Sequence, residues 1–401
     1  MMNKRCSSVV AGCLLLFAPA VAWAVAGEGI QVGPTLLYPA LSVTGTYDDN
    51  FHQASSNPVS GWETTIAPSL RLVMPVQRFY LNAEAGVEFL NYYDLDAQES
   101  TDWFFGGAVG ADFPGGLSFK VADKQTQTYL TATQEYPNPE DYTENDLSAT
   151  VGFVVRNALK LELSANRLEV TYDVSENRTR VENGVRANLY WKFRPTLSVG
   201  VGGSYNGYAY DTNTRQDSTE TRLGVGLTWD VTARSTGDFK FGYEWKAFDV
   251  QDASLGTEDA GYYIFSLGLL HSFTQRTALR IDLSRASQES DFPQNPYYLE
   301  TMLGASLSLR LTTKLYGKVG VSYTRDEYPQ TASYVSVIDN VSVHESGERT
   351  DTTLLGSISL GFDVTRWLSF EVAYEAEQRD SNFKTFDYDQ NRVSLSAKAA
   401  F

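Results

Sequence analysis

Few residues of this chain could carry out acid–base or metal chemistry. The sequence contains 3 histidines, His52, His271 and His344, and 2 cysteines, Cys6 and Cys13. None of them has the close, regular spacing by which protein ligands hold a metal ion. The histidines are therefore predicted to be isolated surface or interface side chains, and no metal site is predicted.

Two groupings of these residues could imitate the active site of a hydrolase. His271 lies beside Ser272, and the pair Asp48 and Asp49 could be joined by His344 in the folded chain. Neither grouping has a recognisable local motif, and no glycine loop is followed by lysine and a hydroxyl residue. The sequence therefore predicts no catalytic residue, no cofactor and no enzymatic activity.

The N-terminal residues predict the compartment of the protein. Lys4 and Arg5 precede an apolar run over residues 9–20, which is followed by small residues up to Ala26. This order of charge, apolar run and small residues is typical of a secretory signal peptide. Residues 1–26 are therefore predicted to be a signal peptide.

A lipoprotein signal ending at Cys13 is a competing interpretation, but most of the apolar run follows Cys13 instead of preceding it. Both cysteines lie in this segment, so no disulfide is expected in the mature chain. Residues 27–35 are predicted to form a short periplasmic segment, and residues 36–401 the folded domain. No plug-sized segment precedes Leu36, so an energised transporter with an N-terminal plug is not expected.

The composition of the chain argues against a nucleic-acid-binding protein and favours a protein rich in β-strands. Its 32 Lys and Arg residues against 49 Asp and Glu give a net charge of −17, which argues against a nucleic-acid partner. The content of 24 Tyr, 21 Phe and 31 Gly favours many long strands. No apolar stretch after the signal peptide is long enough for a transmembrane helix.

Alternating polar and apolar residues dominate the rest of the chain. In the last stretch, residues 388–401, Val393 and Leu395 alternate with Arg392 and Ser394. From Leu36 onward, similar runs are separated by breaks that alternate between tight turns and long, polar, acidic loops, including one predicted at residues 329–347. This pattern predicts an all-β, transmembrane, antiparallel up-and-down β-barrel of about 18 strands in the outer membrane, with short periplasmic turns and long acidic extracellular loops.

Alternation also predicts which side chains line the lumen of the barrel. The candidates are charged residues that alternate with lipid-facing apolar residues: Arg71, Lys120, Arg186, Arg222, Arg280, Arg310, Arg392, Glu84, Glu88 and Glu371. Bases are predicted to outnumber acids modestly on this face, as the lining of a channel for an anionic polymer would require. The alternative is that these charges pair across neighbouring strands and only hydrate the interior.

Two features concern the strand that closes the barrel. Phe401 is predicted to be both an interfacial aromatic residue and a terminal signal for the barrel-assembly machinery. Pro39 and Pro68 lie inside the first two predicted strands, where each removes a ladder donor. They are expected to mark bulges or a weakly paired first hairpin.

Short motifs near both ends of the predicted barrel are similar to those of a known protein family. Residues 47–50 (Y-D-D-N), residues 66–70 (I-A-P-S-L) and residues 391–393 (N-R-V) before a terminal aromatic resemble the family of "putative β-barrel porin 2" proteins. Members of that family often accompany exopolysaccharide synthesis and export systems. The resemblance therefore implies a role in secretion or at the cell surface, and it transfers no catalytic residues.

These observations lead to one functional hypothesis and two alternatives. The hypothesis is a passive outer-membrane conduit that exports an exopolysaccharide, with anionic polymers among the candidates. The alternatives are a general diffusion porin for small hydrophilic solutes and a structural or adhesive surface barrel with a closed lumen. The expected partners are outer-membrane lipid and lipopolysaccharide, the barrel-assembly machinery and polysaccharide export components.

Overall fold

The computed structural model describes residues 29–93, 99–131, 139–156, 158–212, 215–232, 234–251, 257–290, 295–338 and 341–401. The predicted signal peptide, residues 1–26, lies outside these residues. Within them, the chain forms 19 strands in one sheet. The strands are β1 (Ile30–Val32), β2 (Thr35–Asp48), β3 (Gly61–Val76), β4 (Phe79–Tyr93), β5 (Glu99–Asp112), β6 (Leu117–Leu130), β7 (Glu140–Val155), β8 (Leu159–Tyr172), β9 (Arg180–Arg194), β10 (Leu197–Tyr210), β11 (Ser218–Thr232), β12 (Ser235–Phe248), β13 (Ala260–Thr274), β14 (Thr277–Glu289), β15 (Tyr297–Arg310), β16 (Leu315–Ile338), β17 (Val341–Asp363), β18 (Leu368–Ser381) and β19 (Tyr388–Ala400).

Strands β2 to β19 form a closed barrel of 18 antiparallel strands, which confirms the predicted fold class. Each strand pairs with the next along the chain, and β19 closes the circle by pairing with β2 from Arg392↔Asp48 to Ala400↔Ala40. The short β1 pairs with the beginning of β2. The turn between these two strands contains Gly33, which has a φ of 62°. Closure removes the unpaired edges that an open sheet would present to lipid.

The outer face of the barrel is apolar and exposed. Val225 and Leu395, for example, are 57% and 59% exposed, and they belong to long rows of similarly exposed Val, Leu, Ile and Phe side chains. A water-soluble protein does not tolerate so large a continuous apolar surface, whereas a bilayer requires it. Within the described residues no helix is long and apolar enough to span a membrane.

The prediction of a long loop at residues 329–347 is wrong. Strands β16 and β17 continue through this region, and their pairing runs from Leu315↔Phe362 to Ile338↔Val341. The register shifts between Glu327 and Thr331, next to Pro329. A bulge thus accommodates the proline that suggested a loop, and the ladder resumes beyond it.

The two prolines of the first hairpin do not produce bulges. The β2–β3 ladder is continuous and includes the pairs Pro39↔Leu70 and Leu41↔Pro68. The β3–β4 ladder omits residues 67 and 68 but resumes in the same register at Ser69↔Gly86. Each missing N–H therefore costs a local hydrogen bond only, because the flanking pairs hold the alignment.

Candidate functional site

The candidate site is the inner face of the barrel. Directly opposed residues of a ladder share a face, so alignments such as Arg71↔Glu84, Arg222↔Glu244 and Arg280↔Ser306 extend one face around the sheet. All of the predicted lumen-lining residues lie on this face, opposite the exposed apolar rows. They are distributed around the circumference instead of forming one constellation.

At least five of the ten predicted residues form a salt bridge with a residue of opposite charge. Salt bridges join Arg280 to Asp282 at 2.7 Å and Arg310 to Asp363 at 3.1 Å. Arg222 lies between two carboxylates, at 2.7 Å from Glu220 and 2.8 Å from Glu244. Two further pairs have longer N–O distances: Arg392–Glu375 at 3.2 Å and Lys124–Glu84 at 3.5 Å. The alternative in which lumen charges pair across strands thus applies to Arg222, Arg310, Arg392 and Glu84, whereas Arg280 pairs within its own strand.

The predicted excess of bases in the lumen is wrong. The ladder alignment places further charged residues on the inner face, and acids predominate among them: Asp48, Glu63, Asp102, Asp112, Glu140, Glu144, Asp146, Glu162, Glu182, Glu220, Asp230, Asp238, Glu244, Asp282, Glu300, Asp326, Asp351, Asp363, Glu375 and Glu377, against Lys124, Lys160, Arg180, Lys192, Arg194, Lys240, Lys246, Lys318, Arg349, Arg379 and Lys398. Many of these acids lie in the upper parts of strands that the sequence pattern had assigned to loop flanks. The lining is therefore mixed in charge.

Exposure of the inner face differs between its two ends. Lys120, Lys240 and Lys318, which lie a few residues from the short periplasmic turns, are exposed. Near the extracellular end, Glu244 and Lys246 are only 0% and 1% exposed. The inner face is thus open to solvent near the periplasmic turns and covered by protein at these extracellular positions.

The described residues at the extracellular end of the β14–β15 hairpin, 286–290 and 295–299, which we call its tip, cause this burial. The β13–β14 ladder ends at Phe265↔Arg285, although β13 pairs with β12 up to Ala260 and β14 pairs with β15 up to Glu289. Above that point the two strands separate. Side chains of the β14–β15 tip then contact strands that are not its neighbours in the ladder.

These contacts form a group that we call the mouth cluster: Tyr210, Glu220, Lys246, Tyr262, Ser287, Glu289 and Tyr297. Lys246 of β12 donates to Glu289 of β14, whose carboxylate also accepts a 2.5 Å hydrogen bond from Tyr210 of β10. The hydroxyls of Tyr262 and Tyr297 are 2.6 Å apart. Ser287 and Glu289 belong to the row of β14 that faces lipid lower in the barrel. At the tip, this row packs on the lumen face of β10–β13 instead.

A second group packs at the extracellular ends of β16 to β19. Arg349 lies over the rings of Tyr328 and Phe386, at 4.6 and 3.7 Å from their centroids, and pairs with Asp351 at 2.7 Å. Arg379 donates to the same carboxylate. Both Arg349 and Asp351 are completely buried, so this group fixes the β16–β17 hairpin to the β18–β19 connection.

That connection contains the single-turn 3-10 helix Lys384–Phe386. The hydroxyl of Thr385 donates a 2.9 Å hydrogen bond to Glu345 of β17. Lys384 donates a 2.9 Å hydrogen bond to Asp387, and this bond raises the pKa of the lysine above its ordinary value. The connection is thus held against the hairpin by hydrogen bonds as well as by rings.

Two of the motifs that carried the family resemblance meet at the closing seam between β2 and β19. The amide of Gln390 donates 2.7 Å to Asp48, and the amide of Asn391 donates 2.8 Å to Asp49. The Asn50 amide donates 2.9 Å to the carbonyl of Asp389. The Y-D-D-N and N-R-V segments therefore hold the first and last strands together at their extracellular ends.

Comparison with known proteins agrees with this architecture. Residues 24–401 match the model of the family described as "Putative beta-barrel porin 2". The chain belongs to this family. With the closed barrel, this membership identifies an outer-membrane β-barrel of the porin type. No curated protein sequence matches the chain.

Solved structures of outer-membrane proteins are similar in fold to this porin-family barrel. The outer membrane protein OpdK of Pseudomonas aeruginosa has a TM-score of 0.46 and 11% identity, over 91% of this chain and 99% of that one. OccAB4 of Acinetobacter baumannii has a TM-score of 0.48 and 12% identity, over 91% and 98%. The siderophore receptor PirA of Acinetobacter baumannii has a TM-score of 0.46 and 6% identity, over 91% and 80%.

The histidines of this porin-family barrel do not form the groupings considered from the sequence. His271 packs against Phe273, 4.7 Å between ring centroids, whereas its chain neighbour Ser272 points to the opposite face of the strand. His344 lies opposite Val335 in the upper part of β17, whereas Asp48 and Asp49 belong to the closing seam. Among the residues that the structure describes, no group of three or more His, Cys, Asp or Glu could hold a metal ion.

Sequence reasoning missed the mouth cluster, although a signal was present. In β14 the lipid-facing row Leu279, Ile281 and Leu283 continues as the polar residues Arg285, Ser287 and Glu289. Polar residues in a lipid-facing row indicate that the strand has left the apolar band. Only the structure shows that part of this row turns into the lumen.

The terminal residue of the porin-family barrel contributes to the seam and gives a testable prediction. Phe401 stacks on Trp367 at 5.6 Å, and its N–H donates 3.1 Å to the carbonyl of Pro39. Deleting Phe401 is expected to leave more of the protein outside the outer membrane, because the deletion removes the stacking on Trp367 and the hydrogen bond to Pro39 together with the predicted terminal signal. Quantifying the protein in outer-membrane fractions tests this. Phe401→Trp should insert normally, and normal insertion of the deletion variant would contradict the signal role.

Proposed function

We propose that this protein is a passive channel whose lumen conducts a saccharide polymer across the outer membrane, with an extracellular mouth that is closed at rest. The family supports the channel class. The association of such proteins with exopolysaccharide export systems supports the direction of transport. The chemistry of the lumen wall supports the class of solute.

The observation that carries the proposal is a set of tyrosines on the inner wall of the periplasmic half. Tyr80, Tyr190 and Tyr316 each cover a glycine of the neighbouring strand. A Cβ added at Gly110 or Gly361 would lie 2.3 or 2.2 Å from the ring of Tyr80 or Tyr316, and one added at Gly200 would lie 2.7 Å from the ring of Tyr190. The rings therefore lie against the wall and leave the lumen open.

Flat rings beside paired carboxylates and hydroxyl groups are suited to sugars. The C–H face of a pyranose ring packs on an aromatic face, and its hydroxyls exchange hydrogen bonds with the polar groups around it. Several separated platforms would provide several weak sites, which allow a polymer to advance without being trapped. The mixed charge of the lining fits a neutral or weakly charged saccharide better than a strongly anionic one.

The closed mouth separates this proposal from a general diffusion porin, whose function requires a permanently open path. The same mouth favours the second candidate, a structural barrel with a closed lumen. The two candidates differ in whether the mouth can open.

Single-channel recording in planar bilayers tests the proposal. We expect a small basal conductance that a neutral oligosaccharide, added on the periplasmic side, interrupts in transient blocks. Replacing Tyr80, Tyr190 and Tyr316 together by alanine should shorten these blocks by about tenfold, which corresponds to about 1.4 kcal/mol of lost binding. The control is Tyr323→Ala on the outer face of β16, which should leave the blocks unchanged.

Three outcomes would count against the proposal. A large, steady conductance that no oligosaccharide blocks would favour the diffusion porin. If an anionic oligosaccharide blocked the channel for much longer than the neutral one, the substrate would be an anionic polymer instead of a neutral one. No conductance in the native protein and none after the mouth cluster is disrupted would favour the structural barrel.

A further inference from the structure

The separation of β13 from β14 has a second consequence, on the outside of the barrel. Residues 260–264 of β13 and residues 286–289 of β14 are not paired with each other, because the ladder between these strands ends at Phe265↔Arg285. A cavity of about 560 Å³ lies at this place. Its volume is in the range of ordinary ligand pockets.

The lining of this cavity is largely aromatic: Phe241, Tyr243, Gly261, Tyr262, Tyr263, Phe265 and Arg285. Phe241 and Tyr263 are stacked at 5.9 Å, and Tyr243 meets Tyr263 edge to face at 5.1 Å. The ladder alignment places these three rings on the membrane side of the barrel. We call this cavity, which lies between β13 and β14 and is separate from the closing seam of β2 and β19, the seam groove. A ligand of the seam groove would therefore come from the bilayer.

Basic residues border the seam groove at the upper edge of the apolar band. In β14, β15 and β16 the lipid-facing rows change from apolar to polar after Leu283, Leu303 and Tyr323. Immediately above this edge, Arg285 and Arg325 share the single carboxylate of Glu327, at 3.0 and 2.9 Å. Two guanidinium groups with one carboxylate leave a net positive charge at the level of the outer-leaflet headgroups.

We infer that the seam groove and the Arg285–Arg325 pair form a binding site for one phosphorylated, acylated lipid of the outer leaflet, of the lipid A type. An acyl chain would occupy the aromatic groove. A phosphate would lie against the two guanidinium groups, whose planar donors match phosphate oxygens. The membrane-facing position, the aromatic lining and the unbalanced positive charge together select an anionic lipid over a water-soluble anion.

Another part of the barrel supplies a matched control. Arg167 lies on the lipid-facing row of β8 above Leu161 and Leu163, and it pairs with Glu169 at 3.6 Å. It shares face and height with the proposed site, but its carboxylate balances its charge. Arg167→Gln should therefore leave lipid binding unchanged.

Native mass spectrometry of the detergent-purified protein, titrated with bisphosphorylated lipid A, tests the inference. We expect one retained lipid in the native protein. The double variant Arg285→Gln/Arg325→Gln should lower its bound fraction on the order of tenfold, and Tyr263→Ala should lower it less. Arg285→Lys/Arg325→Lys keeps the charge and should keep most of the binding, which separates lost charge from a fold defect.

Three results would overturn the site. One is equal retention of lipid A by the native protein and by the double glutamine variant. Another is equal retention of lipid A before and after enzymatic removal of its phosphates, which would show binding by the acyl chains alone. Inorganic phosphate that displaces the lipid at millimolar concentration would assign the arginines to a free anion and would also overturn it.

Discussion

Glu289→Ala should open the extracellular mouth and raise single-channel conductance severalfold. The substitution leaves Lys246 buried without the carboxylate to which it donates, and it removes the acceptor of Tyr210. Removing one partner of a buried ion pair typically costs about 3–5 kcal/mol. A hairpin tip held mainly by such contacts should detach from the wall at this cost, because local opening requires less free energy than global unfolding.

A double variant provides the control for this result. Lys246→Met/Glu289→Leu replaces the ion pair by apolar side chains of similar volume, which often preserves or increases stability. Its conductance should remain close to that of the native protein. If the double variant were as conductive as Glu289→Ala, loss of the ion pair itself would not explain the opening. If neither variant changed the conductance, the tip would not be the closure.

Val321→Arg should destabilise the barrel by about 2–4 kcal/mol, because it places a cation near the bilayer midplane. Val321 is 51% exposed and pairs with Ala305 and Gly356 in the middle of the apolar band. The change can be measured as the free energy of unfolding in denaturant, with the protein refolded into lipid vesicles.

The neighbouring residue on the same strand is the control. Ser322 faces the lumen and pairs with Gly304 of β15. The wall around Gly304 is uncrowded, since a Cβ added there would have its nearest neighbouring atom at 4.0 Å. Ser322→Arg should therefore change the free energy of unfolding little, since a solvated lumen accepts a charge. Equal costs for Val321→Arg and Ser322→Arg would show that the two faces of β16 are assigned wrongly.

These predictions depend on face assignment, which the sequence could supply. In a strand that separates lipid from water, every second residue must be apolar, so the alternation around Arg222, Arg280 and Arg310 already predicted their common face. The closed barrel of 18 strands and its location in the outer membrane were therefore predicted correctly.

The alternation was less informative above the apolar band, where both faces of a strand meet water. There it failed at residues 331–338 and 341–347, which lie in paired strands, and it underestimated the acids of the inner face. Polar residues on both faces remove the period-two signal, so a strand and a loop have similar sequences in that region.

By itself, the sequence determined which residues share a face, how many strands cross the membrane and where the chain closes, because each of these follows from local periodicity. Only the tertiary structure decided that the β14–β15 tip turns inward and packs on the lumen face of β10–β13. The Lys246–Glu289 pair joins residues 43 positions apart on strands that are not neighbours in the ladder. A contact of that kind depends on the curvature of the whole barrel, and no local pattern in the chain encodes it.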